Sequence, residues 1–281
     1  MDAQPGCRPD ETAAVGVLTQ PFQRAGVRRL MAFGHPGHEL ALFGVLQRYR
    51  PQVVVITDGG SAARVQESRA GLTSIGMLER TIYLGYSEAA FYTALLDADV
   101  ALFADVVRQL RSLIVDQRPE QMFCDAVEFY NPVHDITLPL VRAAVDQWPV
   151  DIYEVPLVYQ KDEPEETYEI QRVPAPLAAH RIVHALTPPE VDRKAAALNE
   201  IYRSLHDQAG PVFLSLSREH LGREEMAAAV PPALSPAATG RALRYEWRAR
   251  RLLEQGAIQR AIGFADHYQP IAERLARLRV D

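Results

Sequence analysis

Between Val27 and Val158, short apolar runs alternate with amphipathic stretches, and each kind predicts a different element. Val27–Phe33 reads as a strand and Glu39–Arg50 as a helix. Val53–Thr57 is an unbroken β-branched run, the pattern of a strand buried on both faces. Arg64–Gly76 repeats apolar residues at helical spacing and stops at a glycine. Thr81–Leu84, Gln121–Cys124 and Ile152–Val158 read as further strands, with helices over Val100–Asp116 and Ile136–Gln147. This alternation predicts an α/β fold with a mostly parallel sheet and flanking helices. In such sheets ligands bind where loops leave the carboxyl ends of the strands. GHPGHE follows the first strand, TDGG the second, LGYSE the third, and a segment around YNPVHD the fourth, so four loops point to one rim.

After about residue 160 the pattern changes. KDEPEE reads as the solvated tip of a hairpin between Ile152–Gln160 and Tyr168–Val173. Pro188–Leu205 predicts a helix with a proline-rich start, and PPALSPAATG (231–240) a linker or loop. Arg241–Gln255 and Ala257–Leu278 predict helices broken at Gly256. The implied organisation is a loose tail over 1–12, an α/β unit carrying the site over 13–207, and a helical C-terminal extension over 208–281 packed on it.

Composition narrows the function classes. The 281 residues are 48% hydrophobic and 23% charged, ordinary for a globular chain. The net charge is −6 and no Lys/Arg block occurs, so nucleic-acid binding has no electrostatic footprint. Cys7 sits in the polar tail and Cys124 in an apolar strand-like run, which argues against a disulfide framework and a cysteine zinc site. No apolar stretch reaches the roughly 18 residues of a membrane span, and no signal layout opens the chain; a cytoplasmic location is expected.

The candidate chemistry lies on two histidine-bearing loops. Imidazole is the commonest metal ligand, and three protein ligands with an open position is the usual layout of a catalytic zinc. His35 and His38 flank Pro36 and Gly37, which stiffen and sharpen a turn able to aim both rings at one point. His134 opens a predicted helix after another strand end and could supply the third ligand. His180, His184, His206, His220 and His267 lack a partner at ligand spacing and read as structural or surface residues. Tyr245, Trp247, Phe264 and Tyr268 suit packing of the C-terminal helices; they could also wall a substrate pocket or a homo-oligomer contact.

The same residues carry a resemblance. AFGHPGHELALFG resembles the AHPDDE signature of the N-acetylglucosaminyl-phosphatidylinositol de-N-acetylase family (PIG-L, or LmbE-like), and ITDGG resembles its second-strand motif. Arg64, Glu67 and Gly76 fit an RxxExxxAxxxLG helix, with Gly71 at the alanine position, and YLGYSE fits the LGYPD that follows. YNPVHDITLPLV resembles HPDHxAVxxAV, and RKAAALNEIYRSL resembles KxxALxxxYxSQ, with Leu205 in place of the glutamine. The resemblance spans roughly residues 27–206 in consistent order. It implies a Rossmann-like fold, a zinc ion (or another divalent transition metal) held by a His-Asp-His set, and hydrolysis of an amide on an N-acylated amino sugar. His35 and His134 fall on its histidines, and His38 falls on its aspartate.

An all-histidine set would carry a higher formal charge and make a stronger Lewis acid. Gly37 falls where the family has its general base, Asn131 on its first HPDH histidine, and Val133 on that motif's aspartate. Three explanations stay open: another carboxylate serves as base, the metal needs none, or the family hydrolysis is replaced by another metal-dependent reaction or by ligand binding alone. Asp135 and Asp58 are the candidate catalytic residues, with Glu39 nearby as a brace or cap; Arg64, Asp125, Glu128 and Asn131 are candidate substrate contacts. The expected partner is a small molecule, an N-acylated amino sugar or a secondary metabolite.

Overall fold

The computed structural model describes residues 21–146, 148–162, 167–205, 216–229 and 243–279. The tail over 1–12, His206, the 231–240 linker and the 163–166 hairpin tip lie outside them. Five strands run parallel: β1 (Arg29–Phe33), β2 (Gln52–Thr57), β3 (Thr81–Tyr86), β4 (Gln121–Asp125) and β5 (Asp151–Val155). Further along, β6 (Val158–Asp162) pairs with β7 (Thr167–Ile170) as a separate hairpin. β8 (Arg181–Ala185) and β9 (Arg223–Ala228) extend the main sheet antiparallel, in the order β3-β2-β1-β4-β5-β9-β8. The chain therefore moves outward from β1 on one side through β2 and β3, then on the other through β4 and β5. The loops leaving β1 and β4 diverge at this reversal, which is where an open α/β sheet forms its ligand crevice.

Period-two alternation in the strands divides the core between two faces. Met31, Phe33, Val53, Val55 and Phe123 pack with α1 (Phe43–Tyr49) and α2 (Ala62–Ser74). Leu30, Ala32, Val54, Ile56, Met122 and Cys124 face the other layer, built from α3 (Glu88–Leu96), α4 (Val100–Gln117), α6 (Thr137–Val145) and a late helix over Gln269–Arg277. Between α4 and α6 a short α5 (Pro132–Asp135) follows β4. Among the described residues no helix is long and apolar enough to cross a membrane.

Several elements depart from the sequence reading. The helix expected from Glu39 begins as a tight 3-10 turn over His38–Leu42 before α1. The helix expected over Pro188–Leu205 is α7 (Pro188–Ala196), followed by a wide turn over Ala197–Ile201. Of the two terminal helices, one spans Arg244–Glu254; the other starts only at Gln269, after a wide turn over Phe264–Tyr268. α3 has no counterpart in the reading. Within the stretch expected to be helical, Arg223–Ala228 is instead β9, paired with β5 and β8.

The reason β9 escaped recognition is chemical. Glu224 and Glu225 give it a solvated look, yet both are buried. Glu224 accepts the Gly44 and Val45 N–H groups at the start of α1 (2.8 and 2.9 Å) and pairs with Lys194 of α7 at 3.0 Å. Lys194 also donates to the Ala41 carbonyl at 3.0 Å, so this buried pair ties α7 and β9 to the turn that carries His38. Removing one member of a buried pair strands the other charge, at about 3–5 kcal/mol. Lys194→Ala is expected to lose that much stability in urea denaturation. Alanine at exposed Arg193, its neighbour on the same helix, should stay within about 0.5 kcal/mol.

Candidate metal centre

His35 stands two residues beyond β1, and the chain turns sharply before His38. Gly37 makes the turn at φ 97°, a left-handed conformation that side chains disfavour. The turn is held from three sides. Glu39 accepts the Gly37 N–H at 2.7 Å and the Tyr202 hydroxyl at 3.0 Å, and Arg64 donates to the Pro36 carbonyl at 2.8 Å. His134 comes from α5, whose start is fixed by the Asn131 side chain accepting the Val133 N–H at 2.8 Å and by Pro132 at the first helical position.

These two loops bring the three imidazoles together. Ring centroids lie 5.0 Å (His35–His38), 4.9 Å (His35–His134) and 4.4 Å (His38–His134) apart. One nitrogen from each lies within 4.8 Å of the others, and all three side chains are buried. His38 Nδ1 lies 2.9 Å from Asp125 Oδ2. An ionised carboxylate only accepts, so the ring proton belongs on Nδ1 and the Nε2 lone pair is free for a ligand. Both ring nitrogens of His35 and Nδ1 of His134 are buried without a hydrogen-bond partner.

Burial pushes the His35 pKa down to about 4 and that of His134 well below its ordinary value, so both rings are neutral near pH 7. Unpartnered buried nitrogens cost about 1–3 kcal/mol each. Convergent neutral imidazoles of this kind fit a divalent transition metal.

The histidines open into a cavity of about 430 Å³ that is also lined by Arg64, Glu88 and Asn131. Glu88 is its one carboxylate among the described residues and was missed by sequence reasoning. Its Oε1 lies 3.1 Å from His35 Nε2, out of line for a hydrogen bond. Burial works to raise the Glu88 pKa, but the neighbouring His35, Arg64 and His38 outweigh it and hold the carboxyl below its usual value. The one signal in the sequence was its position, closing LGYSE at the start of α3.

The other predicted carboxylates are spent elsewhere. Asp135 is fully buried and turns its Oδ1 to the Glu128 and Phe129 N–H groups (2.9 and 3.2 Å); burial raises its pKa to about 8. Asp58 Oδ1 accepts the Gly60 and Glu88 N–H groups (2.8 and 2.9 Å), which places α3. Glu128 accepts the Leu157 and Val158 N–H groups, and burial pushes its carboxyl well up. Asp125 sits behind His38. None of these four lines the cavity, whereas Arg64 and Asn131 do.

The remaining described histidines, His180, His184, His220 and His267, are also outside the cavity lining. His184 packs edge-on to Phe22 and Tyr49, and His220 contacts the Ile170 carbonyl at 2.8 Å. His267 accepts the Gly263 N–H, and His180 ends a 3-10 turn. Phe264 stacks on Tyr268, whose hydroxyl donates to the Asp135 carbonyl, and Tyr245 is buried in the same core layer. Trp247 lies under Arg251.

No family model matches the chain, and no curated protein matches it in sequence. Solved structures do. Dbv21, the deacetylase of the antimicrobial reagent A40926 pseudoaglycone, superposes with a TM-score of 0.52 at 16% identity, over 74% of this chain and 99% of that one. A deacetylase of the teicoplanin biosynthesis pathway, in complex with bog, gives 0.51 at 17% identity over 72% and 98%. A triple mutant of a deacetylase involved in the teicoplanin biosynthetic pathway gives 0.50 at 17% over 73% and 98%. The chain thus shares the mostly parallel α/β fold of these deacetylases.

Substitutions at two positions probe the local geometry. A Cβ at Gly37 would meet Leu205 Cδ2 at 3.3 Å as well as the left-handed backbone, so Gly37→Asp is expected to cost roughly 1–3 kcal/mol in thermal or urea unfolding. Asp135→Asn keeps an oxygen for the two N–H groups and should fold with its metal capacity intact. Asp135→Ala strands both donors and should lose about 1–3 kcal/mol per stranded group in the same assay.

Proposed function

We propose that this protein is a metal-dependent amide hydrolase of the deacetylase kind, acting on a small N-acylated substrate, with His35, His38 and His134 as metal ligands and Glu88 as proton acceptor. The observation that carries this reading is the buried triad of imidazoles opening into a cavity whose carboxylate, among the described residues, is Glu88. Zinc suits the donor set, three histidines with room for a further ligand. A metal held there would supply Lewis acidity toward water and toward an amide carbonyl.

The chain's own residues do the rest. Glu88, beside His35 at the cavity wall, can take a proton from the attacking water and return it to the departing amine. This moves the role from Asp135 and Asp58, whose carboxyls hold backbone amides, to a residue that faces the substrate. Asn131 Oδ1 receives the Val133 N–H and the Tyr92 hydroxyl, which fixes the side-chain amide so that its NH₂ can donate to an oxygen gaining negative charge. The shared fold with deacetylases supports an acetyl or related acyl group as the part removed.

The test combines metal analysis with acetate release from N-acetylglucosamine-type substrates. His35→Ala and His134→Ala should lose bound zinc and all turnover. Glu88→Gln should keep its zinc but fall in kcat by about 10²–10⁴, the usual worth of a general base. Full zinc content in both histidine variants would sink the metal reading, and an unchanged kcat in Glu88→Gln would sink the assignment of the base.

A further inference from the structure

We propose that the cavity takes substrates bearing an anionic group, a carboxylate or a phosphate, recognised beside the histidines by Arg244 and Arg248 of the helix over Arg244–Glu254. The inference rests on the hydrolase reading above and adds the class of substrate to it. Among the described residues the cavity is lined by three arginines, Arg64, Arg244 and Arg248, against the one carboxylate of Glu88. Arg64 is committed to the loop, donating to the Pro36 and Gly59 carbonyls.

Arg244 is held differently. Its guanidinium lies 3.9 Å from the Tyr130 ring centroid and 5.6 Å from that of Tyr168, and its Nε donates to the Tyr168 hydroxyl at 3.3 Å. Tyr130 in turn lies 6.0 Å from the His134 ring, so Arg244 stands one aromatic ring away from the histidines. Stacking fixes the plane of the guanidinium and leaves the terminal nitrogens to form a two-pronged contact with a carboxylate or phosphate.

The placement concentrates positive charge. Arg244 and Arg248 are like charges four residues apart on one helix, and Arg244 is the first residue of that helix, at its positive end. Arg48, Arg108, Arg172, Arg218 and Arg260 each have a carboxylate in ion-pair range. Among the described residues neither Arg244 nor Arg248 has one. A second groove, of about 410 Å³, shares both arginines with the metal cavity and continues past Leu96, Leu252, Ile258 and Ile262. The anion site therefore stands where the two spaces meet, and an apolar arm of the substrate has room beyond it.

The experiment uses the zinc-loaded protein and three probes: N-acetylglucosamine, N-acetylglucosamine 6-phosphate and N-acetylmuramic acid. Binding is read by calorimetry and turnover by acetate release. At least one anionic probe should bind about tenfold or more tighter than the neutral sugar, the worth of a charge-assisted contact. The phosphate and carboxylate arms show which anion the site prefers. In Arg244→Gln/Arg248→Gln the preference should vanish while zinc content stays full, and Arg244→Lys should restore only part of it. Should the double variant fail to hold zinc, Arg248→Gln alone, at an exposed position, must still lower the preference severalfold. Equal binding of all three probes overturns the proposal, as does an anion preference that survives the double variant, since the metal alone would then be holding the anion. Arginine-dependent binding without acetate release overturns the hydrolase reading and leaves this one standing; equal turnover of charged and neutral probes does the reverse.

Discussion

Asp125 ends β4 without solvent exposure and commits one oxygen, Oδ2, to two contacts: the Gly34 N–H at 2.7 Å and His38 Nδ1 at 2.9 Å. Around it, the Thr57 N–H and hydroxyl both donate to the Gly34 carbonyl, at 2.9 and 2.7 Å. β1, β2 and β4 are thereby locked together at the rim, and only glycine fits at their meeting point. A Cβ on Gly34 would come within 2.8 Å of Thr137 Oγ1 and 2.9 Å of Asp125 Oδ2. Hydrogen bonds to a charged group contribute about 1.5–3 kcal/mol each, so the same oxygen both stabilises the rim and sets the tautomer of His38. The orientation of His38 thus follows from the close approach of β1 and β4, and the site inherits the rigidity of the sheet.

A second constraint is the cost of burying polar carboxyl groups. This chain meets it repeatedly by giving a buried carboxylate backbone N–H donors from a segment remote in sequence. Glu128 serves Leu157 and Val158, Glu224 serves the start of α1, and Glu225 accepts the Val173 N–H. Asp135 does the same locally, for the loop just before α5. Each of these side chains organises a loop near the rim and has little left to offer a substrate. Glu88 is the exception, because α3 presents it to the cavity while Asp58 caps the backbone beneath it.

That distinction explains what the sequence made legible. Strand–helix alternation and strand-end loops mark the sheet, its rim and the convergence of His35, His38 and His134, because these follow from local periodicity. The roles of Asp58, Asp125, Glu128 and Asp135 depend on which amides lie opposite, and for Asp125 and Glu128 those amides are about 90 and 30 residues away. β9 was hidden for the same reason: REEMAA reads as solvated until Lys194 and the α1 amides are placed against Glu224. α3 was hidden because EAAFYTALL is short and its apolar residues surround the helix instead of forming a stripe, so Glu88 remained only the last letter of a motif.

The rim and the cavity lining share one electrostatic direction. Positions 37 and 38 are a glycine and a histidine, so neither adds a carboxylate to the rim. Gly37 is required by its backbone, and a carboxylate could not stand there without strain. The helix over Arg244–Glu254 brings Arg244 and Arg248 to the same cavity. Among the described residues three arginines line the cavity against one carboxylate, and a divalent ion would add to that positive charge. Under the proposals above, Gly37, His38 and the two arginines act together, toward a substrate that itself carries an anion.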